Sequence, residues 1–149
     1  MGTLNLNALP EGCLLALDTA TIIYFLEKHP TYYAQAREIF RCIEQSHFFG
    51  LMSSLVFAEL LVPAYRAGRP EEAERVGQIL TSFPNLEIAP LTPTIASTAA
   101  SLRAQFGVRT PDAIHLATAI CHKAAGFITN DKGFQRMESK LDIWMMDGA

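Results

Sequence analysis

Four acidic residues stand where folding alone gives no strong reason for a carboxylate. Two of them follow short apolar runs, one interrupts an apolar helix and one opens another helix: Asp18, Asp131, Glu59 and Asp112, in that order. Taken one at a time, each has an ordinary explanation. These explanations are a helix cap, an Asn-Asp turn, a salt bridge to an arginine and a first-turn acid that complements the helix dipole.

Together, the four acids predict a site for a divalent cation. Asp18 and Asp131 end predicted strands and Asp112 begins a predicted helix, so all three fall on one edge of a parallel sheet. Glu59 is the only polar residue within 55–62, and we expect its carboxylate near the interior, where an unpaired charge is costly. Crowded carboxylates repel one another unless a cation joins them, and their oxygens favour Mg²⁺ or Mn²⁺ over zinc. Such a cation is a common means of hydrolysing a phosphodiester.

The elements that would position these acids alternate between strands and helices. Short apolar runs predict strands at 13–17, 48–52, 86–89, 127–129 and 143–145. Apolar spacing, prolines and capping residues predict helices over 21–28, from Tyr32, over 55–62 with a kink or end at Pro63, from Pro70, over 92–107 and over 110–125. This alternation indicates an α/β fold with a mainly parallel sheet.

Length and composition favour one domain spanning residues 1–149, with residues 1–10 as an extended lead-in or a loose tail. Half of the residues are apolar and 18% are charged, which argues against intrinsic disorder. No apolar run approaches the ~20 residues of a membrane-spanning helix, and the N-terminus lacks the basic stretch of a signal peptide. Three separated cysteines suit a reducing compartment, so we expect a cytoplasmic protein without disulfides or structural zinc.

The charge distribution points to phosphate contacts. The net charge is −3, yet residues 100–140 hold six basic and three acidic residues, so this part of the chain could meet a polyanion. Arg109 and Lys132 lie close in sequence to candidate site acids and are the first candidates for contacting phosphate; otherwise they balance the acids. His115 shares a helix face with Asp112, and we expect a half-buried, locally hydrogen-bonded side chain without a catalytic role.

Missing motifs exclude several other enzyme classes. The sequence has no glycine-rich dinucleotide motif after a strand and no P-loop, so neither of these nucleotide sites is expected. It also lacks the GxSxG elbow of α/β-hydrolases. These absences leave the acidic residues as the main candidates for chemistry.

Four segments of the chain resemble the PIN-domain ribonucleases, and most closely the VapC-type toxins of toxin–antitoxin pairs. The segments are LALDTATIIYFLEKHP at 15–30, SSLVFAELL at 53–61, RTPDAIHLATAI at 109–120 and FITNDKGF at 127–134. The resemblance implies a Rossmann-like three-layer α/β/α sandwich with about five strands. It implies an Mg²⁺- or Mn²⁺-dependent endoribonuclease that cleaves structured RNA such as tRNA or rRNA. The implied protein partners are a second copy of the chain, as a homodimer, and a small antitoxin that inserts a segment near the active site.

The resemblance also assigns roles to particular residues. The acidic residues that would bind metal and carry catalysis are Asp18, Glu59, Asp112 and Asp131. The hydroxyls that support the family's site, and the amide beside its last acid, correspond to Thr19, Thr129 and Asn130. The sequence departs from many members at Gly133, where they carry a further acid, so we expect a second metal to bind weakly or not at all.

Two other functions remain open at this point. The fold could serve a non-catalytic module that binds RNA or protein. It could also carry a metal-dependent phosphohydrolase for small molecules, because a carboxylate site for Mg²⁺ does not by itself specify RNA.

Overall fold

Strands and helices alternate in the computed structural model of the chain, which describes residues 2–146. The strands are β1 (Gly2–Thr3), β2 (Leu14–Leu17), β3 (Phe49–Ser53), β4 (Leu86–Ala89), β5 (Gly126–Thr129) and β6 (Ile143–Met145). The helices are α1 (Thr19–Leu26), α2 (Tyr33–Glu44), α3 (Leu55–Leu60), α4 (Val62–Arg66), α5 (Pro70–Ser82), α6 (Pro93–Phe106) and α7 (Thr110–Cys121). Two 3₁₀ helices span Leu6–Ala8 and Lys132–Met137.

The predicted α/β fold is confirmed, although several of its elements differ from the prediction in detail. The sheet has six strands rather than about five, because Gly2–Thr3, within the expected lead-in, pairs with β6 at the sheet edge. The helix predicted over 55–62 is divided into α3 and α4, and Pro63 lies in the first turn of α4. The helix predicted over 110–125 ends earlier, at Cys121, with its cap at His122.

The order of the strands reverses at the centre of the sheet. The order is β1-β6-β5-β2-β3-β4, and every neighbouring pair is parallel. The chain therefore places β3 and β4 on one side of β2, and later β5 and β6 on the other. In such sheets, the crevice at the carboxyl ends of the strands where the order reverses is the usual ligand site. Here that crevice lies between β2 and β5.

Alternating strand residues face two apolar layers on opposite sides of the sheet. One layer packs Leu15, Leu17 and Ile128 against residues of α1, α2 and α5. The other packs Ala16, Leu51 and Phe127 against residues of α6 and α7. Helix α7 is apolar almost all round, so all of its residues from 113 to 119 are buried, and this holds its N-terminus near the sheet. Among the described residues, no helix is long and apolar enough to cross a lipid bilayer.

Candidate active site

The ends of β2 and β5 hold two of the four predicted acids in one hydrogen-bonded chain. Asp18 follows β2 at the N-cap of α1, yet its side chain makes no capping hydrogen bond, so capping does not account for it. Thr129, the fully buried last residue of β5, donates to Asp18 Oδ2 at 2.5 Å. The same hydroxyl accepts a hydrogen bond from the backbone amide of Asp131 at 3.0 Å. Thr129 thus links both acids at the point where the strand order reverses.

The environment of Asp18 opposes its ionisation. The residue is 7% exposed, and burial raises the pKa of its carboxyl to about 6. The hydrogen bond from Thr129 opposes that rise in pKa. The nearby backbone amides of Ala20 and Thr21 also oppose it, although neither forms a well-aligned hydrogen bond to the carboxylate. Oδ1 of Asp18 has no hydrogen-bond partner among the described residues. A proton or a bound cation would relieve the cost of this buried oxygen.

Glu59 is held by two donors, one of which the sequence did not predict. Thr19 Oγ1 donates to Glu59 Oε1 at 2.7 Å, and His115 Nε2 lies 2.6 Å from the same oxygen. The His115 contact holds the pKa of Glu59 below its ordinary value. Two expectations were wrong: the Glu59 side chain is 36% exposed rather than buried, and His115 is buried and bonded to a residue 56 positions away rather than locally.

Asp112 and Asp131 line one cavity of about 240 Å³ beside the N-terminus of α7. Arg109 also lines it and makes two long hydrogen bonds to Asp112, of 3.2 and 3.3 Å. The pKa of Arg109 is raised, chiefly by Asp112 and also by the charges of Asp131 and Glu59. The Arg109 side chain is 76% exposed, so water screens these interactions strongly. The cavity therefore combines two carboxylates with an accessible cation.

The remaining predicted residues divide between the site and its surroundings. Gly133 donates its amide to Asp131 Oδ1 at 2.8 Å, and a Cβ at this position would lie 3.0 Å from that oxygen. Asn130 points elsewhere, because its Nδ2 donates to the hydroxyl of Tyr24 at 3.1 Å. Lys132 is exposed at the start of the second 3₁₀ helix, directly after Asp131.

The four acids are of the ligand type that a hard cation prefers, but their side chains are not placed around one common point. Within residues 2–146, no group of three or more His, Cys, Asp or Glu side chains is placed so that it could hold a metal ion. Each acid instead has its own partner, as described above. The donor set nevertheless consists of carboxylates, and Asp18 Oδ1 is a buried oxygen that lacks a partner. These features fit Mg²⁺ or Mn²⁺, provided that side chains such as Asp112 move.

Comparisons with known proteins agree with this fold. The family model described as PIN domain matches residues 15–140. The chain is similar to the solved structure of VapBC2 from Rickettsia felis bound to a promoter DNA fragment, with 23% identity, a TM-score of 0.69 and coverage of 90% of this chain and 99% of that one. It is also similar to DNA-bound VapBC from Salmonella typhimurium, with 22% identity, a TM-score of 0.69 and coverage of 89% and 98%. A third similar structure is VapBC-1 from nontypeable Haemophilus influenzae, with 24% identity, a TM-score of 0.64 and coverage of 89% of this chain and 97% of that one. A search of curated proteins gives no match.

Proposed function

The chain belongs to the PIN domain family, and on this premise we propose that it is a metal-dependent endoribonuclease of the VapC type, the toxin of a toxin–antitoxin pair. One observation carries the proposal. Thr129 joins Asp18 to Asp131 at the point where the strand order reverses, and Asp131 shares a cavity with Asp112. This is the crevice in which parallel α/β sheets bind ligands.

The four acids would hold Mg²⁺ or Mn²⁺, and other residues fix their positions. When bound, such a cation activates water and neutralises charge on the phosphoryl group. Thr129 fixes Asp18, and Thr19 fixes Glu59, so these carboxylates are oriented before RNA arrives. Water would attack the phosphorus of the RNA backbone as the bond to the leaving ribose oxygen breaks. The proton that this water loses would pass to one of the four carboxylates, Asp18, Glu59, Asp112 or Asp131.

Two cations would help the acidic site to accept an RNA phosphate. Arg109 can turn from Asp112 to a phosphodiester at little cost, because its guanidinium is exposed and its hydrogen bonds to Asp112 are long. A guanidinium also matches the paired oxygens of a phosphate. Lys132 is exposed next to Asp131 and would supply a second positive charge. Both residues are proposed phosphate contacts.

Cleavage of a mixed tRNA and rRNA pool tests the proposal. Purified, antitoxin-free protein should release fragments with Mg²⁺ or Mn²⁺ and none with a chelator. Asp112→Asn keeps the shape of the side chain but removes its charge, and should lower the cleavage rate by at least about 100-fold. Asp142→Asn is the matched control, because Asp142 is an exposed acid outside the site, and its rate should equal that of the wild type.

The same assay decides between this proposal and its alternatives. A non-catalytic RNA- or protein-binding module is favoured by the finding that Glu59 and Asp112 are already paired and form no closed metal site. Such a module would release no fragments from the pool with either metal. A small-molecule phosphohydrolase would instead hydrolyse a phosphomonoester at least as fast as RNA. Either result would overturn the nuclease proposal.

An apolar groove offers a place for the antitoxin. The groove has a volume of about 400 Å³ and lies between α1, α3, α4 and α5, with Leu26, Leu60, Val76 and Ile79 among its lining residues. One of its lining residues, Leu60, is the chain neighbour of Glu59. An amphipathic segment of the antitoxin would cover its apolar surface. Ile79→Glu should weaken co-purification with the product of a short open reading frame immediately upstream. Leu91→Glu, an exposed position outside the groove, should leave it unchanged.

Oligomeric state and compartment complete the proposal. A homodimer is implied by the resemblance, and light scattering on the purified chain would measure it. The three cysteines, Cys13, Cys42 and Cys121, are all free in the structure. Free thiols suit the reducing cytoplasm that we propose as its location.

A further inference from the structure

His115 is buried at the centre of the site, although no step of the proposed chemistry uses it. The residue is 5% exposed and lies on α7, one turn after Asp112. Its Nε2 is 2.6 Å from Glu59 Oε1 and 3.3 Å from Thr19 Oγ1. Asp18 also feels the charge of His115, which acts to lower the pKa of that carboxyl. The imidazole therefore lies between its own helix and two other segments of the chain, at residues 18–19 and at Glu59.

The partners of the ring decide which nitrogen carries its hydrogen. An ionised carboxylate only accepts hydrogen bonds, so the short contact with Glu59 requires a hydrogen on Nε2. The single hydroxyl hydrogen of Thr19 is donated to the same Oε1. The other ring nitrogen, Nδ1, is buried and has no partner among the described residues. The contact therefore assigns a hydrogen to Nε2, the ring nitrogen that faces Glu59.

The two hydrogen bonds restrain a flexible side chain through one of its oxygens. Oε1 of Glu59 accepts from both Thr19 and His115, whereas no donor among residues 2–146 is hydrogen-bonded to Oε2. A free glutamate side chain loses considerable rotational entropy when it becomes fixed. The ring of His115 is packed in the most buried helix, so it can hold Glu59 without itself being mobile.

We propose that His115 is a positioning residue, which holds Glu59 by Oε1 and leaves Oε2 as the oxygen available to a bound divalent cation. The inference rests on the proposed function, since it assumes that Glu59 is a metal ligand. It adds to that function a residue that orients a ligand without touching the metal. Removing a hydrogen-bonding partner of a metal ligand typically weakens metal binding by about 10- to 100-fold, and we expect a loss in this range for His115.

Two substitutions separate the hydrogen bond from the packing of the ring. His115→Phe keeps a planar ring of similar size but has no donor. His115→Gln places an amide nitrogen the same number of bonds from Cα as Nε2, and so can restore the donor to Glu59. His122→Phe is the matched control, because His122 caps the other end of α7 and contacts Thr118 and Glu87 instead.

Binding of Mn²⁺ to chelator-stripped protein, measured by calorimetry, is the main test. We expect His115→Phe to weaken Mn²⁺ binding by about 10- to 100-fold. Affinities of His115→Gln and of the His122→Phe control should stay close to that of the wild type. In a Glu59→Gln background, His115→Phe should have no further effect, because its action passes through Glu59. Equal losses in the Phe and Gln variants, or no loss in a folded Phe variant, would overturn the inference.

Nitrogen NMR of the imidazole provides a second readout that needs neither metal nor activity. The metal-free wild type should show a hydrogen on Nε2 of His115, and the Nε2 resonance should shift in Glu59→Gln. An Nδ1–H tautomer would overturn the inference even if the nuclease proposal holds. If the wild type binds no Mn²⁺ and cleaves no RNA, the proposed function fails together with the metal part of the inference. Wild-type binding with an unaffected His115→Phe variant overturns the inference alone.

Discussion

Replacing Thr129 by valine tests whether one buried hydroxyl joins the two acids at the end of the sheet. Valine has nearly the shape of threonine, so the packing at the end of β5 is kept. The substitution removes the donor to Asp18 Oδ2 and the acceptor for the amide of Asp131. The Thr129 side chain has no exposed surface and Asp18 is 7% exposed, so water has little access to replace the lost donor to Asp18.

The two hydrogen bonds set the size of the expected effect. A hydrogen bond to a charged group contributes about 1.5–3 kcal/mol, and one between neutral groups about 0.5–1.5 kcal/mol. The sum predicts that Thr129→Val lowers the free energy of unfolding by about 2–4.5 kcal/mol. For a domain of this length, that corresponds to a loss of roughly 10 °C in the midpoint of thermal unfolding.

Urea unfolding at pH 7.5 in the presence of a chelator measures this effect. Thr129→Ser retains the hydroxyl and loses only a methyl group, so it should cost about 1 kcal/mol. Thr118→Val is the matched control, because the buried hydroxyl of Thr118 bonds only to Ile114 O within its own helix, and should cost about 1 kcal/mol or less. A Thr129→Val variant no less stable than Thr118→Val, or a serine variant as unstable as the valine variant, would refute the reasoning.

Three further outcomes follow from the structure. Relative to Asp18→Asn, the metal-free wild type should lose about 3 kcal/mol of unfolding free energy as pH rises from about 4 to about 6. The reason is that the pKa of Asp18 is about 6 in the folded chain, above its unfolded value, so ionisation favours unfolding; equal pH profiles from urea titrations would contradict this. Gly133→Asp puts a second carboxylate against Asp131, so thermal scans should show a lower midpoint in chelator and a larger rise with Mn²⁺ than in the wild type. Phe127→Ala should cost about 3–5 kcal/mol in urea unfolding, since the buried ring packs against the tilted ring of Phe134, with centroids 4.8 Å apart. A cost below about 1 kcal/mol would contradict this packing.

The sequence predicted the parts of the fold that local chemistry determines. The strand at 86–89 and the strand at 143–145 have the predicted bounds, because short, mostly apolar runs are typical of strands. Strand β1 could not be predicted from such a pattern. It has only two residues, and its pairing with β6 depends on where the other end of the chain folds. A run so short carries no periodicity from which pairing could be read.

For the candidate site, the sequence identified the acids but not all of their partners. The pairing of Arg109 with Asp112 is local, three residues apart on one helix, and proximity in sequence suggested it. The contact between His115 and Glu59 joins residues 56 positions apart, and depends on how α3 packs against α7. A histidine inside an apolar helix is the only sequence signal for it. That signal does not distinguish a local hydrogen bond from a distant one.

The separate partners of the acids explain how the chain can fold before any cation binds. Four carboxylates in one crevice would repel one another, yet Asp18 and Glu59 receive hydrogen bonds from side chains and Asp131 receives one from a backbone amide. Asp112 is paired with the guanidinium of Arg109, which is always charged. A cation entering the site would therefore compete with one exposed arginine, while the other partners could stay in place. By this reasoning Arg109 is the partner that is released when Asp112 moves to bind a metal, which also frees its guanidinium for phosphate.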